Sequence, residues 1–385
     1  MKKLSRTGWM KATVLAALTW GMVADTTWAG ATRTWTGSWD TLPANADDAI
    51  VIASGGNLTW NNTMPATVGS WTQAVGYAGT VTFQTVYGTN GFTNFTVSGN
   101  VTLSGGTWTH TANTGGETNR LRVTVGGNLF ITNATINADG LGYASSQGRG
   151  YISGYGAVYG GTAPGNSDFA LVNTNIYGSI TAPANLGSGA NGSGGGAILL
   201  TVSGTTTVAS AGVITANASA SGGGAAGSGG SVFLTTGWIT GTGGTIRANS
   251  RGGSTAAGGS GGRVAIILTG AGADFSSWSG TNTAYGGDDA GPQPDGAAGT
   301  VYLKTTAGVD TLIIDNNNSV NIENSGNYYA PPFGQISTLL PNGVNLNGFA
   351  SVIIRNKGVL GVSGGTTLDF STFTPVLSGA AILHH

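Results

Sequence analysis

Gly196-Ala-Ile-Leu-Leu-Thr-Val202 is followed along the chain by Gly230-Ser-Val-Phe-Leu-Thr-Thr236, Gly262-Arg-Val-Ala-Ile-Ile-Leu268 and Gly299-Thr-Val-Tyr-Leu-Lys-Thr305. Aligned on their glycines, the four segments share one alternating register. Ile198, Val232, Val264 and Val301 form one apolar column, and Leu200, Leu234, Ile266 and Leu303 form the next. A period of two marks a strand with one buried face. A second echo follows: Val213-Ile-Thr-Ala-Asn217, Thr245-Ile-Arg-Ala-Asn249 and, more loosely, Thr281-Asn-Thr-Ala-Tyr285. Ala216, Ala248 and Ala284 make a third, tighter column. A further strand is expected between the echoes at Thr205–Ala209, Trp238–Thr240 and Asp274–Ser279. Each unit then runs into glycine, at Ala218 to Gly230, Ser250 to Gly262 and Gly286 to Gly299. The steps from Ile198 to Val232, Val264 and Val301 are 34, 32 and 37 residues.

One such unit cannot bury its own apolar face, so units stack into a continuous core. No room is left for a helix between strands. The sequence therefore predicts an all-β fold, a right-handed parallel β-helix with its glycine-rich loops stacked at one corner.

Working outward, Arg120-Leu-Arg-Val-Thr-Val125 and Ile136-Asn-Ala-Asp139 repeat the two-part unit, one turn and one long insertion before Ile198. The expected divisions are 1–31, a signal peptide; 32–120, an N-terminal cap and first turns; 121–305, the glycine-rich repeats with the insertion at 140–196; and 306–385, plainer turns of the coil. Lys2, Lys3, Arg6 and Lys11 precede the apolar run Ala12–Ala24, and Ala29-Gly30-Ala31 supplies a small-residue cleavage site, the pattern of a secretory leader. The expected location is extracellular, secreted or at the cell surface.

Composition narrows the function further. Glycine is 70 of 385 residues and only 8% are charged, which excludes a charge-rich disordered chain. Without the four leader cations and Asp25, 10 Lys and Arg face 14 Asp and Glu, leaving nothing basic for nucleic acid or an anionic membrane. No second apolar run approaches the roughly 18 residues of a membrane-spanning helix. Cysteine is absent, which removes disulfides, thiolate metal sites and Cys nucleophiles.

Two stretches carry a resemblance. Thr34-Trp-Thr-Gly-Ser-Trp39, Pro43, Asp47-Asp-Ala-Ile-Val-Ile52 and Gly55-Gly-Asn-Leu-Thr-Trp60 resemble the opening turns of bacterial autotransporter-like passenger repeats. Ile136-Asn-Ala-Asp-Gly140, Leu186-Gly-Ser-Gly189, Gly194-Gly-Gly-Ala-Ile-Leu-Leu200, Gly258-Gly-Ser-Gly-Gly-Arg-Val-Ala-Ile266 and Gly299-Thr-Val-Tyr302 are similar to glycine-rich β-helix modules of large secreted bacterial surface proteins, adhesin passengers with a pectin-lyase-like fold. The resemblance implies fold and location and brings no settled catalytic role. From the residues alone, Trp35 and Trp39 are suited to cap the first open edge of the stack.

Candidate chemistry is sparse. His110 is the only histidine before the terminal pair, so no Ser-His-Asp arrangement can be assembled in the repeats, and its threonine-rich strand predicts an exposed side chain. Asp288, Asp289 and Asp295 share one loop and are the residues that could hold Ca²⁺, the one cofactor with candidate ligands; no EF-hand loop or Gly-Gly-x-Gly-x-Asp repeat accompanies them. A pectate-lyase-like enzyme needs clustered acids with a basic residue, but the outward positions of the matched strands are Arg122, Leu199, Phe233, Ala265 and Tyr302. The insertion holds Tyr143, Tyr151, Tyr155, Tyr159, Phe169 and Tyr177. Aromatic faces among glycines can stack on sugars, or they can close a second small core. Asn57, Asn94, Asn133 and Asn217 fit the Asn-x-Ser/Thr acceptor pattern.

The expected function is a secreted, non-catalytic structural or adhesive element, with surface glycans or further copies of the chain as partners. The alternatives are a polysaccharide-binding or polysaccharide-cleaving β-helix and an ice- or crystal-surface binder. The last would use Thr-x-Thr rows such as Thr205/Thr207 held in register over several turns, a pattern not visible in the sequence.

Overall fold

The computed structural model describes residues 30–165, 172–252, 257–288, 295–319, 336–340, 346–362, 374–379 and 381–384. Residues 1–29 of the expected signal peptide, Phe169 and Asp289 lie outside the described residues. The described chain is all-β, and most of its strands belong to one large, mainly parallel sheet.

Three parallel ladders make up most of that sheet. The first joins Thr67–Val68, Phe95–Val97, Leu121–Val125, the start of Ala197–Val208, the start of Ser231–Arg247, Arg263–Leu268 and Thr300–Lys304. A second joins Thr32–Thr36, Ala49–Ser54, Ser70–Gln73, Val101–Leu103 and Leu129–Ile131, then the later residues of the two long strands. The third runs from Leu58–Trp60 through Thr80–Phe83, Thr107–His110, Thr135–Asn137 and Val213–Thr215 to Trp278–Thr283. Ser231–Arg247 serves all three, with breaks in pairing that let it change direction.

The registers match the quoted columns. Leu121, Ile198, Val232, Val264 and Val301 stand opposite one another, as do Val123, Leu200, Leu234, Ile266 and Leu303. All but Leu303 are buried, each such side chain contributing about 1.5–3 kcal/mol of transfer free energy. Ala138, Ala216, Ala248 and Ala284 are buried at the next corner. Toward the N-terminus the same interior is aromatic: Trp71 lies 5.5 Å from Trp108, and Phe83 lies 4.9 Å from Trp108 and from Phe95. Trp35 and Trp39 meet edge to face at 5.4 Å, and Trp39 leans on Trp60 at 6.1 Å, over the first turns.

The asparagines of the second echo have a task. Asn217 N–H donates to Asp139 Oδ1 (2.6 Å), Asn249 N–H to Asn217 Oδ1 (2.7 Å) and Tyr285 N–H to Asn249 Oδ1 (2.8 Å). Each side chain thus satisfies a backbone donor one unit on, where the strand ladder ends.

The glycines that close each glycine-rich segment are buried. The N–H groups of Gly196, Gly230, Gly262 and Gly299 donate to the carbonyls of Ala138, Ala216, Ala248 and Ala284 at 2.7–2.8 Å, closing each unit on itself. The preceding glycines link neighbouring units: Gly195 N–H to Ser228 O, Gly229 N–H to Ser260 O and Gly261 N–H to Ala297 O. The 140–196 insertion extends this layer through Ala157 N–H to Ala226 O and Gly160 N–H to Gly261 O. None of Gly195, Gly230, Gly261 and Gly262 has a positive φ. Lack of a side chain is what they supply, because a Cβ on Gly262 or Gly299 would fall on the backbone of Gly230 or Gly262.

Three features differ from the sequence expectation. Asp274–Ser279 is a turn for most of its length, in which Asp274 Oδ1 accepts from Ser276 N–H (2.9 Å); the strand begins only at Trp278. After Thr300–Lys304 the parallel order of the first ladder stops. The chain turns at Thr305–Val309 and Asp310–Asp315 returns antiparallel, after which Ser351–Arg355 and Thr374–Ser378 add in parallel. Ala265 and Tyr302, read as outward, are buried in a second apolar cluster with Leu312, Ile314, Phe349, Val352 and Ile354, and Phe233 packs against it. An alternating strand buries both faces when another sheet covers it, and a local pattern does not carry that information.

Candidate functional site

Two tyrosines of the insertion, Tyr159 and Tyr177, converge on Arg263. Along the first ladder this residue stands between Ser231 and Thr300, in a column of small side chains, and it is fully buried. Its Nε and Nη2 donate to Tyr177 O (3.1 and 2.9 Å), Nη2 to Tyr159 O (3.4 Å) and Nη1 to Thr300 Oγ1 (3.2 Å). The guanidinium also lies 5.3 Å from the centre of the Tyr159 ring. Carbonyl oxygens and a ring face stand in for a carboxylate here, so the cation is held by dipoles. Burial draws its pKa below the ordinary arginine value.

The rings of Tyr159 and Tyr177 meet at 4.7 Å, tilted by 44°. Tyr159 Oη donates to Ser231 Oγ (2.7 Å), whose own hydrogen goes to Asn185 O (2.6 Å), and Tyr177 Oη donates to Leu186 O (2.6 Å). Burial pushes both phenols up from their ordinary pKa. Tyr143 is buried against Leu186 and Ala197. As stacking platforms for sugars, Tyr143 and Tyr159 offer no open face; they close a small core that fastens the insertion to the first ladder. Tyr151 and Tyr155 stay half-buried at the rim, Tyr155 bridging to Gly165. At the edge of this cluster Glu117 accepts from Asn185 Nδ2 (2.9 Å) and pairs with Arg149 at 3.6 Å.

His110 is buried, contrary to the exposed position expected of it. It follows Phe83 in the third ladder, with Nδ1 2.8 Å from Thr111 O and Nε2 against Gly196, without a hydrogen-bond partner. Burial lowers its pKa to about 4, so it is neutral near pH 7. Of the calcium candidates, Asp288 is exposed and Asp295 buried at the head of a glycine segment. Among the described residues no group of three His, Asp or Glu side chains is placed to hold a metal. Asn217 is committed to its backbone cap and is buried, which removes it as a glycan acceptor.

A cleft of about 390 Å³ lies near the N-terminal end, lined by Asn62, Gln84, Phe92, Thr111 and Asn119 among others. Its polar groups are amides and a hydroxyl, so it can exchange hydrogen bonds but not protons. Sequence reading missed it because its residues come from segments far apart along the chain. Arg263 was better signposted, as the one long side chain in a column of Ala197, Ser231 and Thr300.

No known protein family, curated protein or solved structure matches this chain. Among the described residues no helix is long and apolar enough to cross a membrane.

Proposed function

We propose that the three ladders are the three faces of a right-handed parallel β-helix, and that this body serves outside the cell as a non-catalytic structural or adhesive element. The observation that supports this reading is the double closure of the interior. Side chains fill the space beneath the ladders, and a hydrogen-bonded glycine layer seals one corner, so the body is stiff and presents long, regular outer faces. A leader at 1–31 delivers it to the outside, in agreement with the resemblance to secreted surface modules. Its partners on this reading are surface glycans or further copies of itself. A glycan array probed with the purified protein, with uronate-polymer cleavage followed in the same samples, tests the proposal. Retention on glycans without cleavage is expected. Cleavage of a uronate polymer would replace the adhesive reading with a lyase.

A further inference from the structure

The outer side of the third ladder carries threonines in two parallel rows. Pairing places Thr80, Thr107 and Thr135 opposite one another, and two residues along each strand it aligns Thr59, Thr82, Thr109 and Asn137. Thr-x-Thr is therefore in register over successive turns, an order the sequence conceals because the turns differ in length. Geometry of a parallel sheet spaces such hydroxyls by about 4.8 Å across strands and about 6.6 Å along them. Behind the array Val81, Trp108 and Ile136 are fully buried and fix it from within.

Each of these threonines is exposed or half-buried. Thr109 Oγ1 donates to Asn137 O at 2.7 Å. Farther along, the pattern gives way to charge: Thr215 Oγ1 donates to Asp139 Oδ1 (2.6 Å) and Arg247 Nε to Thr215 Oγ1 (3.1 Å). The uncharged array thus spans the turns from Thr59 to Asn137. The first ladder also aligns threonines, Thr67, Thr96, Thr124, Thr201 and Thr235, but in a single row beside Arg122.

We infer that the Thr59–Asn137 face binds the surface of ice. A two-dimensional repeat of small donors and acceptors gains most against a partner that itself repeats. Because the array bears no charge, it matches an uncharged hydrogen-bonded lattice and not an ionic mineral. It also exposes no aromatic ring, the platform a sugar polymer would require, since Trp108 points inward. The hydroxyls order water at the spacing of the rows, and the methyl groups between them exclude other arrangements. The inference rests on strand register alone and does not need export, so a silent glycan array leaves it standing.

Partition of the full-length purified protein into slowly grown ice tests it, with thermal melting measured on every variant. The wild type is expected to enter the ice, whereas Thr82→Lys and Thr109→Lys fall to the level of a non-binding protein and Thr201→Lys on the first ladder still partitions. Thr82→Ala combined with Thr107→Ala, which adds no bulk, should weaken partition if a lysine variant melts early. The inference is overturned if the wild type is excluded from ice, if Thr82→Ala/Thr107→Ala partitions fully, or if Thr201→Lys loses as much as Thr109→Lys. Retention on crystalline cellulose with exclusion from ice would also overturn it.

Discussion

The molecule has two interiors built on opposite principles. Under the ladders, Trp71, Trp108, Leu234 and their neighbours fill space, and cohesion comes from apolar surface withdrawn from water. In the glycine layer nothing fills space. Backbones approach until their own N–H and carbonyl groups bond, and cohesion depends on the absence of Cβ atoms. Both are buried, yet each tolerates a different error: the first a loss of shape, the second almost no gain in volume.

The largest effect is expected where a charge enters the first interior. Leu234→Asp puts an unpaired carboxylate between Leu200 and Ile266 and should cost several kcal/mol, enough to abolish the cooperative melt, while Thr235→Asp on the outer side stays within about 1 kcal/mol. Equal losses in the two variants would break the assigned register.

His110 stands where the two interiors meet, between Phe83 and Gly196. Its folded pKa of about 4 lies below the ordinary imidazole value of 6.5, so the unfolded chain binds the proton first. Stability is therefore unaffected above the unfolded value and falls as pH drops from 6.5 toward 4, by about 3 kcal/mol in all. Denaturant midpoints across that range should show the slope in the wild type and lose it in His110→Leu.

Next come the glycines themselves. Gly262→Ala drives a methyl into the backbone of Gly230 and should destabilise by about 1–3 kcal/mol or more. Gly76→Ala, which meets nothing within 4 Å, should be neutral or stabilising by up to about 1 kcal/mol. Indistinguishable melting temperatures would mean the layer can open at little cost. Among the destabilising changes the mildest is Asn217→Ala, which leaves Asn249 N–H without its acceptor and should cost about 1–2 kcal/mol by chemical denaturation.

The first interior was legible in the sequence because a strand's period of two is local. Ile198 and Leu200 announce their face without knowledge of their neighbours. The glycine segments announce that they stack at one corner, but not which amides pair, since that order lies in contacts between units, such as Gly229 to Ser260. The burial of His110 and Tyr302 was hidden for the same reason: one is covered by the glycine corner, the other by strands that come back antiparallel from Asp310. The threonine array was concealed by unequal turn lengths, which place Thr82 and Thr109 side by side only once the register is known. Of the site residues, the clustering of tyrosines in 140–196 was visible, but not the buried Arg263 that gathers Tyr159 and Tyr177.

Amide hydrogen exchange resolved along the chain tests the central claim, that the glycine layer is a second interior and not a fringe. Ser228, Gly229, Gly230, Ser260, Gly261 and Gly262 all donate to backbone carbonyls, at 2.8–3.0 Å. Their protection should approach that of Val232 and Val264 in the adjoining strands. Exchange of these amides at random-coil rates, with the strands still protected, would contradict the account.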